Sequence, residues 1–138
     1  MFTDDRNAYR QLFFETWNKH LKQLPLQAVE AQLLDVILVH PEYHALLERP
    51  DQFMSQEFEL EENPFFHMSL HISVREQIQM DRPTGIKMIY QNLIAAHANA
   101  LDAEHKITDA LAQAMFKAQV TGLPANENEY MAKLKELT

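Results

Sequence analysis

Seven histidines and no cysteine leave imidazole as the residue type most able to do chemistry in this chain. His67 and His71 stand four apart in the run NPFFHMSLHISV, and residues 65–74 carry no fixed charge. On a helix that spacing puts both rings on one face about one turn apart, close enough to share a metal ion. An imidazole among Phe65, Phe66, Met68, Leu70 and Ile72 loses water and needs partners. A metal ion supplies one partner, and a carboxylate on the other ring nitrogen fixes the tautomer. HPEYH repeats the separation at His40 and His44. Glu104 and His105 open a later helix, with Glu104 on the face of Ile107 and Leu111. A carboxylate pointing inward there needs a cation or hydrogen-bond donors. The expected ligand set is His67, His71 and His105, with Glu104 and His44 next. Nitrogen and oxygen donors without sulfur suit zinc, iron, manganese or nickel. The competing reading makes these core histidines bonded to carbonyls, serines or carboxylates. His40 is expected to cap the segment at Pro41, His97 to be a core residue at a helix end, and His20 to be an ordinary interface or surface histidine. Glu76 lies about 140° around the helix from His71, so pairing with Arg75 or Arg82 suits it better than ligation.

Other chemistries fit poorly. Absence of cysteine removes disulfides, thiolate nucleophiles and cysteine-ligated zinc or iron–sulfur centres. Ser55, Ser69 and Ser73 are the only serines, and no glycine-rich loop accompanies them, because the chain has two glycines. The carboxylates of residues 57–62 read as a solvated acidic loop. A net charge of −8 argues against a nucleic-acid binder, which carries a basic footprint. The first ten residues hold no apolar core of a signal peptide, and the run LLDVILV is too short to span a bilayer. A cytoplasmic protein that binds neither nucleic acid nor membrane is the expectation.

The elements that must position the histidines are helical almost throughout. Tyr9, Leu12, Phe13, Thr16, Trp17, His20 and Leu24 form one stripe, with Arg10 off it, and predict a first helix over about residues 5–23. Asp4 and Asp5 at its start and Lys19 and Lys22 at its end suit the helix dipole. Pro25 suits the first turn of a second helix that buries Leu26, Val29, Leu33, Val36, Ile37 and His40. Pro41 interrupts it, a short helix follows over residues 42–48, and residues 49–62 read as a loop. Asn63 before Pro64 is a cap and first-turn proline, and the helix it opens runs to about Asp81. Helices over about 84–98 and 102–120 follow, the second burying Ile107, Leu111, Met115 and Ala118 and stopping at Gly122. A C-terminal helix over about 126–137 begins at Asn126. Phe13, Phe14, Trp17, Phe65, Phe66 and Tyr90 belong to the core. With 46% hydrophobic residues, the chain reads as one all-α domain, residues 1–138: an antiparallel bundle of about five main helices plus short accessory helices.

As a set, Trp17 with Lys19, HPEYH (40–44), NPFFHMSLH (63–71), Glu76 with Gln77, DRPTGI (81–86), and Glu104 with His105 resemble the bacterial domain-of-unknown-function family 1841. The likeness runs nearly end to end. Relatives tend to carry a Gly-Asp turn and a further histidine where this chain has Ala98, Asn99, Ala100 and Leu101. The resemblance implies a small helical protein and points to the same histidines, and it brings no activity. Two functions follow from the residues: a metal-binding bundle acting as an enzyme or as a metal or oxygen sensor, or an interaction protein. The second would be an adaptor or homodimer with structural histidines and with Phe53, Met54 and Phe58 in its aperiodic segment.

Overall fold

A computed structural model of the chain describes residues 2–138, with side chains from Arg6 onward. Among the described residues the secondary structure is helical, with no strand. The α-helices are α1 (Phe2–Leu21), α2 (Ala28–Leu38), α3 (His44–Leu47), α4 (Pro50–Phe53), α5 (Pro64–Met80), α6 (Ile86–His97), α7 (Ala100–Thr121) and α8 (Glu127–Glu136). Single 3₁₀ turns cover Pro41–Tyr43 and Leu60–Glu62. The chain divides into two compact units, Met1–Ser69 and Leu70–Thr138. The division falls inside α5, which is one continuous helix. The expected all-α class is what the chain adopts.

In the first unit α1 packs on α2. Phe13, Phe14, Trp17, Leu33, Val36, Ile37, Leu47, Phe65 and Met68 are buried. Phe65 meets Phe13 and Phe14 with ring centroids 5.8 and 5.6 Å away. The buried face of α1 is rotated from the expected stripe. Tyr9 is exposed, whereas Arg10 is 2% exposed. The contact face therefore runs Arg10, Phe13, Phe14, Trp17, which is the i, i+3, i+4, i+7 pattern with arginine at its first position. The side chains of Asp4 and Asp5, expected to suit the start of this helix, lie outside the described ones. Leu24 and Val29, expected inside, are exposed.

Pro25 does not open α2. The helix starts at Ala28, where the Gln27 amide donates to Glu30 Oε1 at 2.9 Å. Lys19 Nζ reaches the two Glu30 carboxylate oxygens at 3.0 and 2.8 Å. The Gln27 amide first, and the Lys19 ammonium with it, hold the Glu30 carboxyl below its ordinary value of 4.5. Because the folded value is the lower one, this contribution to stability is present above pH 4.5 and is lost as pH falls through the folded value. Glu30→Gln is therefore expected to lie below the unaltered chain in melting temperature at neutral pH, with the gap closing as pH is lowered past 4.5. Melting curves over a pH series check this, and a gap that stays constant down to the lowest pH would contradict it.

The segment 49–62 is not loop throughout. Pro50 stands in the first turn of α4, and a 3₁₀ turn follows at Leu60. Too short for a hydrophobic period, the first of these turns is held from outside: Arg10 Nη1 lies 3.4, 3.1 and 2.7 Å from the carbonyl oxygens of Phe53, Met54 and Gln56.

The second unit buries Val74, Ile86, Ile89, Leu93, Ala103, Ile107, Ala110, Tyr130 and Leu134 in one core. Met115, expected inside, is exposed. Local signals set its boundaries. Asp81 Oδ1 accepts from the Gly85 and Lys87 amides at 3.1 and 3.0 Å, and Gly85 has φ +100°, which explains DRPTG as a connection. Asn99 accepts from the Leu101 and Asp102 amides, so α6 and α7 are two helices. Asn126 accepts from the Glu129 amide. Gly122 stops α7, whereas α1, α5 and α6 end on Gln23, Asp81 and Ala98 with φ of 56°, 52° and 54°. No helix among the described residues is long and apolar enough to cross a membrane.

Candidate metal centre

Helix α5 carries the first two histidines of the site. Asn63 accepts from the Phe65 and Phe66 amides at 2.9 and 3.1 Å, and this cap sets the phase of the helix. His67 and His71 then fall one turn apart on one face. His71 is fully buried and His67 half-buried.

His40 follows the end of α2, where Pro41 begins a 3₁₀ turn. Its ring is fully buried, and Nδ1 lies 2.8 Å from the Val36 carbonyl oxygen. A carbonyl only accepts, so Nδ1 carries the proton and Nε2 carries the lone pair. His40 Nε2 is 3.2 Å from His67 Nε2. Tyr43 stacks on the His40 ring at 5.7 Å, which fixes its plane.

His105 is in the second turn of α7. Its Nδ1 donates to the Leu101 carbonyl at 3.1 Å, which again leaves the lone pair on Nε2. The His71 and His105 rings meet edge to face, 4.5 Å between centroids. His71 Nδ1 lies 2.5 Å from Glu104 Oε2, and Arg75 Nε donates to Glu104 Oε1 at 2.9 Å. Burial pushes the Glu104 carboxyl up, but the hydrogen bonds from His71 and Arg75 and the charge of Arg75 outweigh it and hold the group below the ordinary range. Glu104 is thus an anion at neutral pH and accepts the His71 Nδ1 proton.

His40, His67, His71 and His105 each offer a ring nitrogen, and these four atoms all lie within 4.8 Å of one another. Three of the four rings have Nδ1 on a carbonyl or a carboxylate, so that the lone pair is on Nε2. An acceptor behind each ligating ring is what metal-bound histidines regularly have.

Of the residues expected from the sequence, His67, His71 and His105 come together. Glu104 stands behind His71, outside the group of four nitrogens. His44 is turned elsewhere: its Nε2 donates to the Ile37 carbonyl at 2.8 Å, and its ring lies against Trp17 at 4.3 Å. The His20 and Trp17 ring centroids are 5.2 Å apart, and His97, expected in the core, is exposed at the end of α6. His40, read as a cap, is the member that sequence reasoning set aside. The signal for it was its place on the apolar face with Leu33, Val36 and Ile37. Arg75 pairs with Glu104, and Glu76 is exposed.

A family model described as Domain of unknown function (DUF1841) matches residues 5–136. No curated protein and no solved structure matches the chain.

Proposed function

The chain belongs to the DUF1841 family, a domain of unknown function, and we propose that it is a metal-binding protein whose ion is held by His40, His67, His71 and His105. The observation that carries the reading is the gathering of four ring nitrogens within 4.8 Å. Supporting it, the His40–His67 separation of 3.2 Å is close to the nitrogen–nitrogen edge of about 3.3 Å expected for a tetrahedron with zinc–nitrogen bonds near 2.0–2.1 Å.

An all-imidazole set suits zinc, iron, nickel or copper better than manganese, which prefers oxygen donors. Four protein ligands complete a tetrahedral shell, whereas catalytic zinc centres keep one position for water. The ion is therefore structural or sensed rather than a hydrolytic centre.

Tag-free protein stripped with a chelator and dialysed against zinc or cobalt(II) tests this. The expected result is one ion per chain by elemental analysis, with a cobalt spectrum of tetrahedral nitrogen ligation. Protein that emerges without stoichiometric metal overturns the reading. A second reading keeps the histidines structural and makes the chain an interaction protein; the exposed apolar Leu21, Leu24 and Val29 around the α1–α2 connection favour it. Absence of metal uptake together with a concentration-dependent mass in solution would select it.

A further inference from the structure

We infer that Glu104 and Arg75 are positioning residues that set the donor strength of His71, and thereby how tightly the ion is held, without either of them ligating it. The inference rests on the metal-binding reading above.

Glu104 is 5% exposed and has a strong partner on each oxygen, His71 Nδ1 on Oε2 and Arg75 Nε on Oε1. Its own helix adds a further restraint, since Thr108 Oγ1 donates to the Glu104 carbonyl at 2.8 Å. A carboxylate that accepts Nδ1–H draws that proton toward itself and raises electron density at Nε2. His40 and His105 donate from Nδ1 to neutral backbone carbonyls, of Val36 and Leu101, which pull less. His71 is thus set apart from them by a charged acceptor. Arg75 acts in the opposite sense: its guanidinium drains charge from the carboxylate and so weakens the pull on His71. Two residues joined in one salt bridge therefore move metal affinity in opposite directions.

That opposition separates a charge-setting role from packing, because residues that merely support the fold shift affinity the same way when removed. The test measures zinc and cobalt(II) affinity by competition with a chromophoric chelator, the cobalt spectrum, and the melting temperature of the metal-free protein. Glu104→Gln is expected to weaken binding roughly 10–100-fold, with Glu104→Asp recovering part of the loss. Arg75→Gln is expected to bind at least as tightly as the unaltered chain, although both E104Q and R75Q lower the metal-free melting temperature. If Glu104→Gln fails to fold, Arg75→Gln alone decides by the direction of its change. Weaker binding in Arg75→Gln, or unaltered affinity in Glu104→Gln, overturns the inference while leaving the metal site standing. A cobalt spectrum showing one ligand fewer in Glu104→Gln makes Glu104 a ligand and overturns it too. An unaltered chain that takes up no metal overturns the reading and the inference with it.

Discussion

Replacing His71 by alanine is expected to abolish most of the thermal stabilisation that the proposed zinc binding would give the unaltered protein. With free zinc about a hundredfold above its dissociation constant, a ligand that binds only the folded state adds about 2.7 kcal/mol. For a chain between the small and mid-sized classes, each kcal/mol moves the melting temperature by roughly 4 °C, so the rise is on the order of 10 °C. Removing one of four ring donors costs at least the roughly 100-fold that loss of an outer partner can cost. The same zinc concentration then only about matches the weakened dissociation constant, and the stabilisation falls to about 0.4 kcal/mol. His40→Ala is expected to behave alike, since its ring is also fully buried and its Nε2 also belongs to the group of four. His44→Ala supplies the contrast. It lies four residues from His40, yet its ring is committed to the Ile37 carbonyl and to Trp17, so its response to zinc is retained. Melting curves of the three variants with and without zinc check this. An equal response in His71→Ala and His44→Ala would remove the distinction on which the site is built.

The contrast between His40 and His44 also shows where sequence reading of the site ends. Four-residue spacing puts two rings on one face only if the helix between them is unbroken. His67 and His71 satisfy that condition inside α5. His40 and His44 do not, because Pro41 ends α2 and opens a 3₁₀ turn between them. The break leaves His40 pointing inward with Val36 and sends His44 sideways onto Trp17. Glu104 marks a second limit. Periodicity tells which residues face inward, and Glu104 does so, but it does not distinguish a group that joins the four ring nitrogens from one that stands behind a ring that does. Boundaries were legible where one short-range device makes them, as at Asn63, Asn126 and Gly122. The ends near Gln23, Asp81 and Ala98 were expected there too, but not their form, in which backbone hydrogen bonds hold ordinary residues at positive φ. The α2 start was displaced for a related reason: Glu30 serves both the Gln27 amide and Lys19 of another helix, a partnership that no local pattern contains.

Arg10→Met is expected to destabilise the protein by about 3 kcal/mol and to open the segment 49–62 to protease. Hydropathy assigns arginine to the outside of α1, and here it is 2% exposed. Its Nη1 is shared by the carbonyls of Phe53, Met54 and Gln56, and its guanidinium lies 4.9 Å from the Phe65 ring centroid and 5.5 Å from that of Phe58. Methionine keeps the apolar stem but donates nothing. Hydrogen bonds to a charged donor contribute about 1.5–3 kcal/mol each, and stacking on an aromatic face about 0.5–2 kcal/mol. The net falls below the sum because carbonyls freed by local opening regain water. That same escape predicts where the damage shows: residues 49–62 contain two single helical turns and little apolar surface of their own, so they open before the α1–α2 core does. Arg10→Lys retains the charge, yet an ammonium is a point donor on a more strongly hydrated head, and it is expected to recover less than half of the loss. Denaturant titration measures the first quantity and limited proteolysis mapped to residues 49–62 the second. Unchanged stability with unchanged protease resistance in Arg10→Met would mean that the segment is held by its own turns, and that the buried guanidinium is a consequence of its packing rather than the cause.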